Sequence, residues 1–380
     1  MKKNKIHTLL LLTVIAMLNC VGIKNTEKGS TLIVQSSDIK SEIIDTIYFK
    51  KSHIIPLETN NNSLFRKITR ICYDENKLFI LDKSLNKIII FDITGKFITS
   101  IQNVGQAEGE CTSVMDFCIE TNKKQIFLLC DRPYKIIKFD YSGKFIKEKK
   151  LDELYFNITT DSNYIYCNKL EIGSNANSEY EIDCYSLDFE NKHTYLSLRD
   201  DIKSQVYSPG NQLTSTLNNY YSRRFDNSIY QLNTKNAINK YTIDFANNSI
   251  PESILTTTNQ EDLMKLVREK NWVYSITDIV ESKNFLMFKT NIALYVYNKN
   301  SNELNGFKTI ANSTLKLNNN SFYPLNNSNK IASIISPSVL SSVKKIAKAR
   351  KEFDNFELLK LAEKVKDEDN PILILYEFKD

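Results

Sequence analysis

The feature that most constrains the fold is an internal repeat. Residues 78–98 read LFILDKSLNKIIIFDITGKFI and residues 126–146 read IFLLCDRPYKIIKFDYSGKFI, and they align without a gap at a spacing of 48 residues. A strand-rich repeat of this length is typical of a β-propeller or a similar array. Because one such unit cannot bury both faces of its sheet, neighbouring units must pack against each other around an axis.

Each copy has the pattern of a β-meander. In the first copy an apolar run at 78–81 precedes a second at 87–91 and a third at 96–101. The turn at 92–95 ends in glycine, which tolerates the positive φ of a tight turn. With one strand before each copy, the repeat predicts four-stranded antiparallel blades. At about 50–55 residues per blade, residues 42–380 predict an all-β, six-bladed β-propeller.

Two further patterns concern the ends of the propeller and its helices. The apolar strand at 371–378 could complete a blade begun at 43–49 and so close the ring. Residues 338–366 carry apolar side chains at helical spacing, which predicts two short helices inserted in the last blade. A similar pattern at 260–270 predicts another helix, with Asn259 as its N-cap.

The N-terminus predicts export. Residues 1–20 read MKKNKIHTLLLLTVIAMLNC, in which lysines precede an apolar stretch that ends at Cys20. This pattern predicts a lipoprotein signal peptide at 1–19, lipidation of Cys20 and a flexible tether at 20–41 before the propeller. The expected location is the cell envelope, anchored by lipid to the outer membrane and facing the periplasm or the surface. A later-cut secretory signal and an uncleaved anchor are the alternatives.

The charge argues against one class of partner, and the cysteine spacing argues against a zinc site. Removal of residues 1–19 removes three lysines and lowers the formal charge from +5 to +2, which argues against a nucleic-acid partner. The other six cysteines show no zinc-site spacing, and several stand within apolar runs, so we interpret them as buried small side chains. Cys167 and Cys184 form the single candidate disulfide.

Four short motifs together resemble a known family. They are IPLET at 55–59, GQAEGE at 105–110, FDNSIY at 225–230 and DEDNP at 367–371. Over residues 42–380 the chain is similar to the six-bladed β-propeller lipoproteins of Bacteroidetes, which are NHL-like and TolB-like in fold. The resemblance implies this fold and a place in the cell envelope, and it implies no particular activity.

No catalytic constellation is recognisable in the sequence. It contains none of the common hydrolase, metalloprotease or nucleotide-binding motifs, and beyond the leader its only histidines are His53 and His193. We therefore assign no catalytic residue, no metal ligand and no cofactor. The sequence favours a ligand- or protein-binding module. The alternatives are an envelope enzyme, either a glycan lyase or a metal-dependent hydrolase at the channel mouth, and a structural or sensory component of an envelope complex.

Five residues are candidate ligand contacts. Arginine binds carboxylates and sulfates through paired hydrogen bonds, and tyrosine stacks on sugar rings. The candidates lie on a predicted inner strand, in a blade loop and before the fourth blade: Arg70, Arg132, Tyr134, Arg223 and Arg224. The expected partners are the membrane, through the N-terminal lipid, and a glycan, a peptide or an envelope protein.

Overall fold

The computed structural model describes residues 30–33, 39–169, 179–198, 210–349 and 355–380. The predicted signal peptide and Cys20 lie outside the described residues. Three N-terminal strands precede the repeats: β1 (Ser30–Ile33), β2 (Lys40–Ile44) and β3 (His53–Pro56).

The remaining strands form antiparallel meanders, which we call units I to VI in chain order. Unit I contains β4 (Arg70–Asp74), β5 (Lys77–Asp82), β6 (Lys87–Asp92) and β7 (Phe97–Ile101). Unit II contains β8 (Ser113–Glu120), β9 (Gln125–Arg132), β10 (Tyr134–Asp140) and β11 (Phe145–Lys150). Unit III contains β12 (Tyr155–Thr160), β13 (Tyr164–Lys169), β14 (Tyr180–Ser186) and β15 (Lys192–Ser197).

The second half of the chain continues the same pattern. Unit IV contains β16 (Leu213–Ser215), β17 (Asn219–Ser222), β18 (Ser228–Leu232) and β19 (Ala237–Asp244). Unit V contains β20 (Ile276–Glu281), β21 (Phe285–Thr290), β22 (Leu294–Asn298) and β23 (Glu303–Asn312), to which the short β24 (Leu317–Asn319) is added. Unit VI contains β25 (Phe322–Asn326), β26 (Lys330–Ile335) and β27 (Ile372–Glu377), with β3 as its outer strand. The all-β prediction of four-stranded antiparallel sheets is confirmed.

The first strands of the units surround an axis. They contact one another in the order β4, β8, β12, β16, β20 and β25, and β25 pairs in parallel with β4. Apolar side chains fill the space between neighbouring units, as where Phe79 and Ile90 of unit I meet Phe117 and Ile137 of unit II. Because both faces of the sheets are covered in this way, the strands are continuous apolar runs. The result is a propeller-like β fold.

The repeated turns are built alike. The Asp92 carboxylate accepts the backbone N–H groups of Thr94 and Lys96, at 2.8 and 3.0 Å, and Gly95 has a φ of 89°. The corresponding Asp140 in unit II makes the same two contacts, and Gly143 has a φ of 87°. The predicted glycine turn is therefore confirmed in both copies.

The N-terminal segment follows the outer edges of three units. β1 pairs in parallel with β19, β2 in parallel with β23, and β3 antiparallel with β27. The tether predicted at 20–41 is corrected by these strands, because Ser30–Ile33 and the start of β2 complete sheet edges. The ring-closing strand is also corrected. It is His53–Pro56, whereas 43–49 contributes the last two residues of β2 and a bridge from Phe49 to Phe378.

Three of the four described α-helices lie where the apolar spacing predicted them, and the short helix at 252–257 was not predicted. α1 (Glu252–Thr257) and α2 (Gln260–Lys270) connect units IV and V, and Asn259 caps α2 by accepting the N–H of Asp262 at 3.1 Å. α3 (Pro337–Ala349) and α4 (Phe356–Glu363) lie between β26 and β27. Leu340, Val343 and Leu358 anchor these last two helices in the apolar cluster of units V and VI.

Candidate functional site

The axis is occupied by one arginine. Arg70 is 1% exposed, and its Nη1 donates to Asp116 and to the carbonyl oxygen of Ile158 at 2.8 Å. Its Nη2 donates to the carbonyl oxygen of Leu213 at 2.6 Å. With the Asn326 amide turned so that its oxygen faces the guanidinium, that oxygen accepts from Nε and Nη2 at 3.2 Å. Arg70, a predicted ligand contact, therefore directs its donors to protein acceptors in units II, III, IV and VI.

A second side chain crosses the axis where the first strands end. The Asn327 amide donates to the carbonyl oxygen of Ile119 in unit II at 3.0 Å and accepts the Ser215 hydroxyl of unit IV at 2.9 Å. Beside it lies a polar cavity of about 200 Å³. Its walls are mainly the turns that follow β8, β12 and β16. Both crossings hold units together, so the axis serves mainly as a polar core.

One carboxyl near the axis has an unusual environment. Asp278 lies in β20 at a bulge, with a φ of 53°, and it accepts the backbone N–H of Asn211 at 2.9 Å. Burial raises the pKa of Asp278 to about 6, although Asn211, Lys289 and Arg70 oppose the rise. Gly210 is required beside it, because a Cβ at that position would approach the Asp278 carboxylate to 2.5 Å. This carboxyl can change its charge near neutral pH.

An open groove on the outside of unit II includes a predicted ligand contact, Tyr134, and we call it the rim groove. It has a volume of about 620 Å³. It is lined by Gln106, Ala107, Glu108, Pro133, Tyr134, Lys135, Glu148, Lys150 and Leu151. The groove thus brings together two segments singled out in the sequence, the GQAEGE loop and the hairpin that follows Arg132.

Buried ionic contacts fix the walls of the rim groove. Lys135 in β10 donates to Glu148 in β11 at 2.8 Å, and Glu148 also accepts the backbone N–H of Gly109 at 2.9 Å. Burial would raise the pKa of Glu148, but the hydrogen bonds from Lys135 and Gly109 outweigh it and lower that pKa. Glu110 accepts the N–H of Ala107 at 3.1 Å and so closes the loop on itself. These contacts hold the walls of the rim groove in place, and its mouth is open to solvent.

The two predicted contacts of this hairpin are exposed. Tyr134 is 41% exposed and lines the rim groove, and Arg132 is exposed directly before the cis peptide bond to Pro133. Arg132 does not itself line the groove, but it stands one residue from a lining residue. An exposed aromatic ring beside Lys150 can stack on a flat apolar surface while cations bind an anionic group.

Arg223 and Arg224 follow β17 and are buried. Arg223 Nε lies 3.0 Å from the Glu181 carboxylate, its Nη2 donates to the Ser197 carbonyl oxygen at 3.1 Å, and its guanidinium stacks over the Tyr230 ring. The contacts of Arg223 therefore link units III and IV. Arg224 is only 5% exposed. The structure does not bring this pair together with Arg132 and Tyr134.

Several of the tyrosines bind buried or half-buried carboxylates. Tyrosine hydroxyls donate to carboxylate oxygens within or between units: Tyr141 to Asp74 at 2.8 Å, Tyr166 to Asp161 at 2.6 Å, Tyr230 to Asp226 at 2.9 Å and Tyr241 to Glu281 at 2.9 Å. Burial raises the pKa of Tyr230 to about 12. Tyr166 and Tyr241 are buried, so their rings are not available to stack on a sugar.

The cysteine pairing suggested by the sequence is wrong. Cys167 lies opposite Asp183 in the register of β13 and β14, whereas Cys184 lies opposite Tyr166. Side chains alternate between the faces of a sheet, so the two thiols point to opposite faces. They belong to different apolar clusters, between units II and III and between units III and IV.

Two of the family motifs meet in a structural contact. The Asn370 side chain donates to the carbonyl oxygen of Glu58 at 2.8 Å and to that of Ser63 at 3.0 Å. Its backbone N–H donates to the Thr59 hydroxyl at 2.8 Å. The C-terminal DEDNP segment therefore holds the IPLET segment where the ring closes, which gives both motifs a role in the fold.

Three residues that shape these sites were not identified from the sequence: Asp278, Lys135 and Glu148. A usable signal existed for Lys135, because Lys87 occupies the same repeat position and both lysines are buried within apolar strands. No comparable signal marked Asp278, whose position depends on a bulge. Within the described ranges, no group of three or more histidine, cysteine or acidic residues is placed to hold a metal ion. No helix among those residues is long and apolar enough to cross a membrane.

Comparison with known proteins gives a family and a fold. The model of a family described as a domain of unknown function, DUF4934, matches residues 33–377. The chain belongs to this family. A Bacteroides fragilis crystal structure, described as that of an exported protein, is similar with a TM-score of 0.71 at 17% identity. The match covers 92% of this chain and 99% of that one.

A second solved structure is more distant. It is a DUF4221 family member from Bacteroides vulgatus, with a TM-score of 0.51 at 10% identity, over 87% of this chain and 97% of that one. Both likenesses are below the identity at which function can be compared, so they describe the fold alone. No curated protein matches the chain.

Proposed function

We propose that the protein is an exported, lipid-anchored binding module of the cell envelope, built as a six-bladed propeller. The closed order of contacts among the first strands supports six blades, each corresponding to one unit. The leader ending at Cys20, and the similarity to a Bacteroides protein described as exported, support the location. The anchor is tested by Cys20→Ala. The variant should leave the membrane fraction, and a variant that stays membrane-bound would contradict the anchor.

The rim groove is the proposed ligand site. Its open volume of about 620 Å³ fits a few sugar rings, and an exposed tyrosine stands over walls fixed by the Lys135–Glu148 pair. The observation that carries the proposal is this combination of walls fixed by ionic contacts and an exposed aromatic ring. The axis offers less, because Arg70 and Asn327 fill it with contacts to the protein itself.

The Glu148 carboxylate is paired with Lys135, and the remaining cations near the groove outnumber its exposed acidic residue, Glu108, which favours an acidic glycan. Lys150 lines the groove, Arg132 is exposed beside it, and β11 reads FIKEKK. A uronic or sulfated sugar offers an anionic group to these cations and a flat ring face to Tyr134. Since the cations are exposed, the binding should weaken as salt rises.

The test measures binding of the full chain to polygalacturonate, a sulfated glycan and a neutral glucan by calorimetry. Tyr134→Ala should weaken binding of the acidic glycans about tenfold, and Lys150→Ala should reduce the salt dependence. Phe356→Ala is the matched control, because it removes an aromatic ring that is 70% exposed on α4. Equal affinity for neutral glucan, or unchanged binding by Tyr134→Ala, would contradict the proposal.

A protein partner is the second candidate, and one observation favours it. Ile98 in β7 and Ile146 in β11 occupy the same repeat position, and both are 45% exposed. Exposed apolar residues at a shared position on neighbouring outer strands suit a protein surface. Ile98→Glu with Ile146→Glu should then abolish cross-linking to an envelope protein without changing glycan binding.

A further inference from the structure

Two buried cysteines meet where the chain enters unit II. Cys111 lies near the end of the linking segment, residues 102–112, which connects β7 to β8, and Cys130 lies in β9. Their Sγ atoms are 2.7 Å apart, and neither residue is more than 2% exposed. Both belong to the apolar cluster between units I and II, with Val114 and Phe139. The two sulfur atoms are therefore in direct contact inside the core.

The repeat shows what this position does in the neighbouring unit. Asp82 of unit I stands 48 residues before Cys130, at the equivalent repeat position. Its carboxylate accepts the backbone N–H groups of Arg66 and Lys67, at 2.6 and 3.2 Å. These residues belong to the segment that leads into β4. The side chain at the end of the second strand therefore fastens the incoming segment to the sheet.

A thiol cannot replace those hydrogen bonds. Sulfur is a weak acceptor and S–H a weak donor, so two neutral thiols would fasten the linking segment less firmly than Asp82 fastens its own. Both units keep a lysine at the next equivalent position. Lys87 of unit I donates to the carbonyl oxygen of Leu64 at 3.5 Å, and Lys135 of unit II donates to Glu148. A covalent bond between the two sulfurs would restore the lost attachment.

We propose that Cys111 and Cys130 form a disulfide bond once the protein is exported. The two thiols lose two protons and two electrons as one S–S bond forms. The oxidant is the disulfide form of an envelope thiol–disulfide oxidoreductase, which takes up both electrons and both protons and becomes a dithiol. Because both cysteines are buried in the folded chain, the exchange takes place during folding.

The other cysteines differ in their electrostatic surroundings. Burial raises the pKa of Cys72 and of Cys184 to about 12, and it raises the pKa of Cys118 and of Cys167 well above the usual value of a thiol. The hydrogen bond with Cys130 lowers the pKa of Cys111, with Lys135 contributing in the same direction. Among the described cysteines, Cys111 therefore differs from Cys72, Cys118, Cys167 and Cys184 in the direction of its pKa shift.

The bond would fasten the loop that forms one wall of the rim groove, because Gln106, Ala107 and Glu108 lie in the same linking segment. The inference itself rests on the cysteine contact and the repeat, and it does not depend on what the groove binds.

The experiment compares the full chain purified from the cell envelope with the same chain made without its leader in a reducing cytoplasm. Each sample is unfolded, alkylated before and after reduction, digested with trypsin and analysed by mass spectrometry. The envelope sample should show two thiols that react only after reduction, and residues 97–123 linked to residues 125–135. The cytoplasmic sample should show every thiol reacting without reduction.

Cys118 shares the first of these peptides, so a matched variant separates the two possibilities. Cys118→Ser should keep the linked peptides, whereas Cys111→Ser should lose them and leave Cys130 free to react. If Cys111→Ser does not accumulate, the wild-type count of reducible thiols still decides. An envelope sample in which all cysteines beyond Cys20 react without reduction would overturn the inference, as would a link that depends on Cys118.

Discussion

The axis and the rim use the same residue type in opposite ways. Arg70 and Arg132 were both candidate ligand contacts, because a guanidinium binds carboxylates well. Arg70 lies among acceptors from four other units and is almost fully buried, whereas Arg132 stands exposed on a hairpin beside the rim groove. The difference teaches that position in the ring decides the role. An arginine on a first strand holds the units together, and one on an outer hairpin remains available to a ligand.

The largest effect on stability is expected from removing the Arg70 guanidinium at the axis. Arg70→Met should lower the free energy of unfolding by about 3–5 kcal/mol, because it leaves the buried Asp116 carboxylate without its cation. It also leaves the Ile158 and Leu213 carbonyl oxygens without this donor. Urea unfolding monitored by tryptophan fluorescence and circular dichroism measures the change.

Two comparisons sharpen that result. Arg132→Met removes the exposed arginine and should change stability by no more than about 0.5 kcal/mol. Combining Arg70→Met with Asp116→Asn should recover part of the loss, because the buried charge is then removed as well. If Arg70→Met costs no more than Arg132→Met, the axis does not hold the units together.

The sequence predicted well what depends on neighbouring residues. The turns at Gly95 and Gly143, the N-cap at Asn259 and the apolar strands all follow from local chemistry, and the structure has them. The sequence predicted poorly what depends on contacts across the ring. Nothing in the residues around Arg70 indicates that its acceptors lie as far along the chain as Leu213 and Asn326.

The N-terminal strands illustrate the same limit. Residues 30–33 are few and polar residues surround them, so they resemble a tether when read alone. They become a strand because the outer edge of β19 offers unpaired backbone groups in parallel register. The candidate site had a similar outcome, since Tyr134 was identified from its loop whereas Lys135 and Glu148 needed the pairing of β10 with β11.

The next largest effect on stability is expected where Asn370 closes the ring. Asn370→Ala should lower the free energy of unfolding by about 2 kcal/mol, because the buried Ser63 carbonyl oxygen loses this donor and the Glu58 carbonyl oxygen keeps the Ser63 hydroxyl but loses the Asn370 amide. Thermal unfolding of the variant measures this. Asn329→Ala is the matched control, since the Asn329 side chain donates to the exposed Asp380 side chain and its loss should change little. Equal effects of the two variants would show that Asn370 does not hold the ring closed.

The smallest expected effect distinguishes two carboxyls near the axis. Burial raises the pKa of both carboxyls, but Asp116 has the Arg70 guanidinium as a direct partner, whereas the pKa of Asp278 rises to about 6 against a usual 3.8 with the Asn211 N–H as a hydrogen-bond donor. Because the folded state binds this proton more tightly than the unfolded chain, its contribution to stability is fully present below about pH 4 and is lost as the pH rises through 6.

Asp278→Asn should therefore remove a pH dependence. The amide oxygen still accepts the Asn211 N–H, and asparagine tolerates the positive φ at this position. The variant should exceed the wild type in stability by about 1 kcal/mol at pH 8, less than the full shift allows because the carboxyl is partly exposed. The difference should vanish near pH 4. Melting temperatures at pH 4, 6 and 8 measure it, and a constant difference across this range would mean that the Asp278 charge costs the fold nothing.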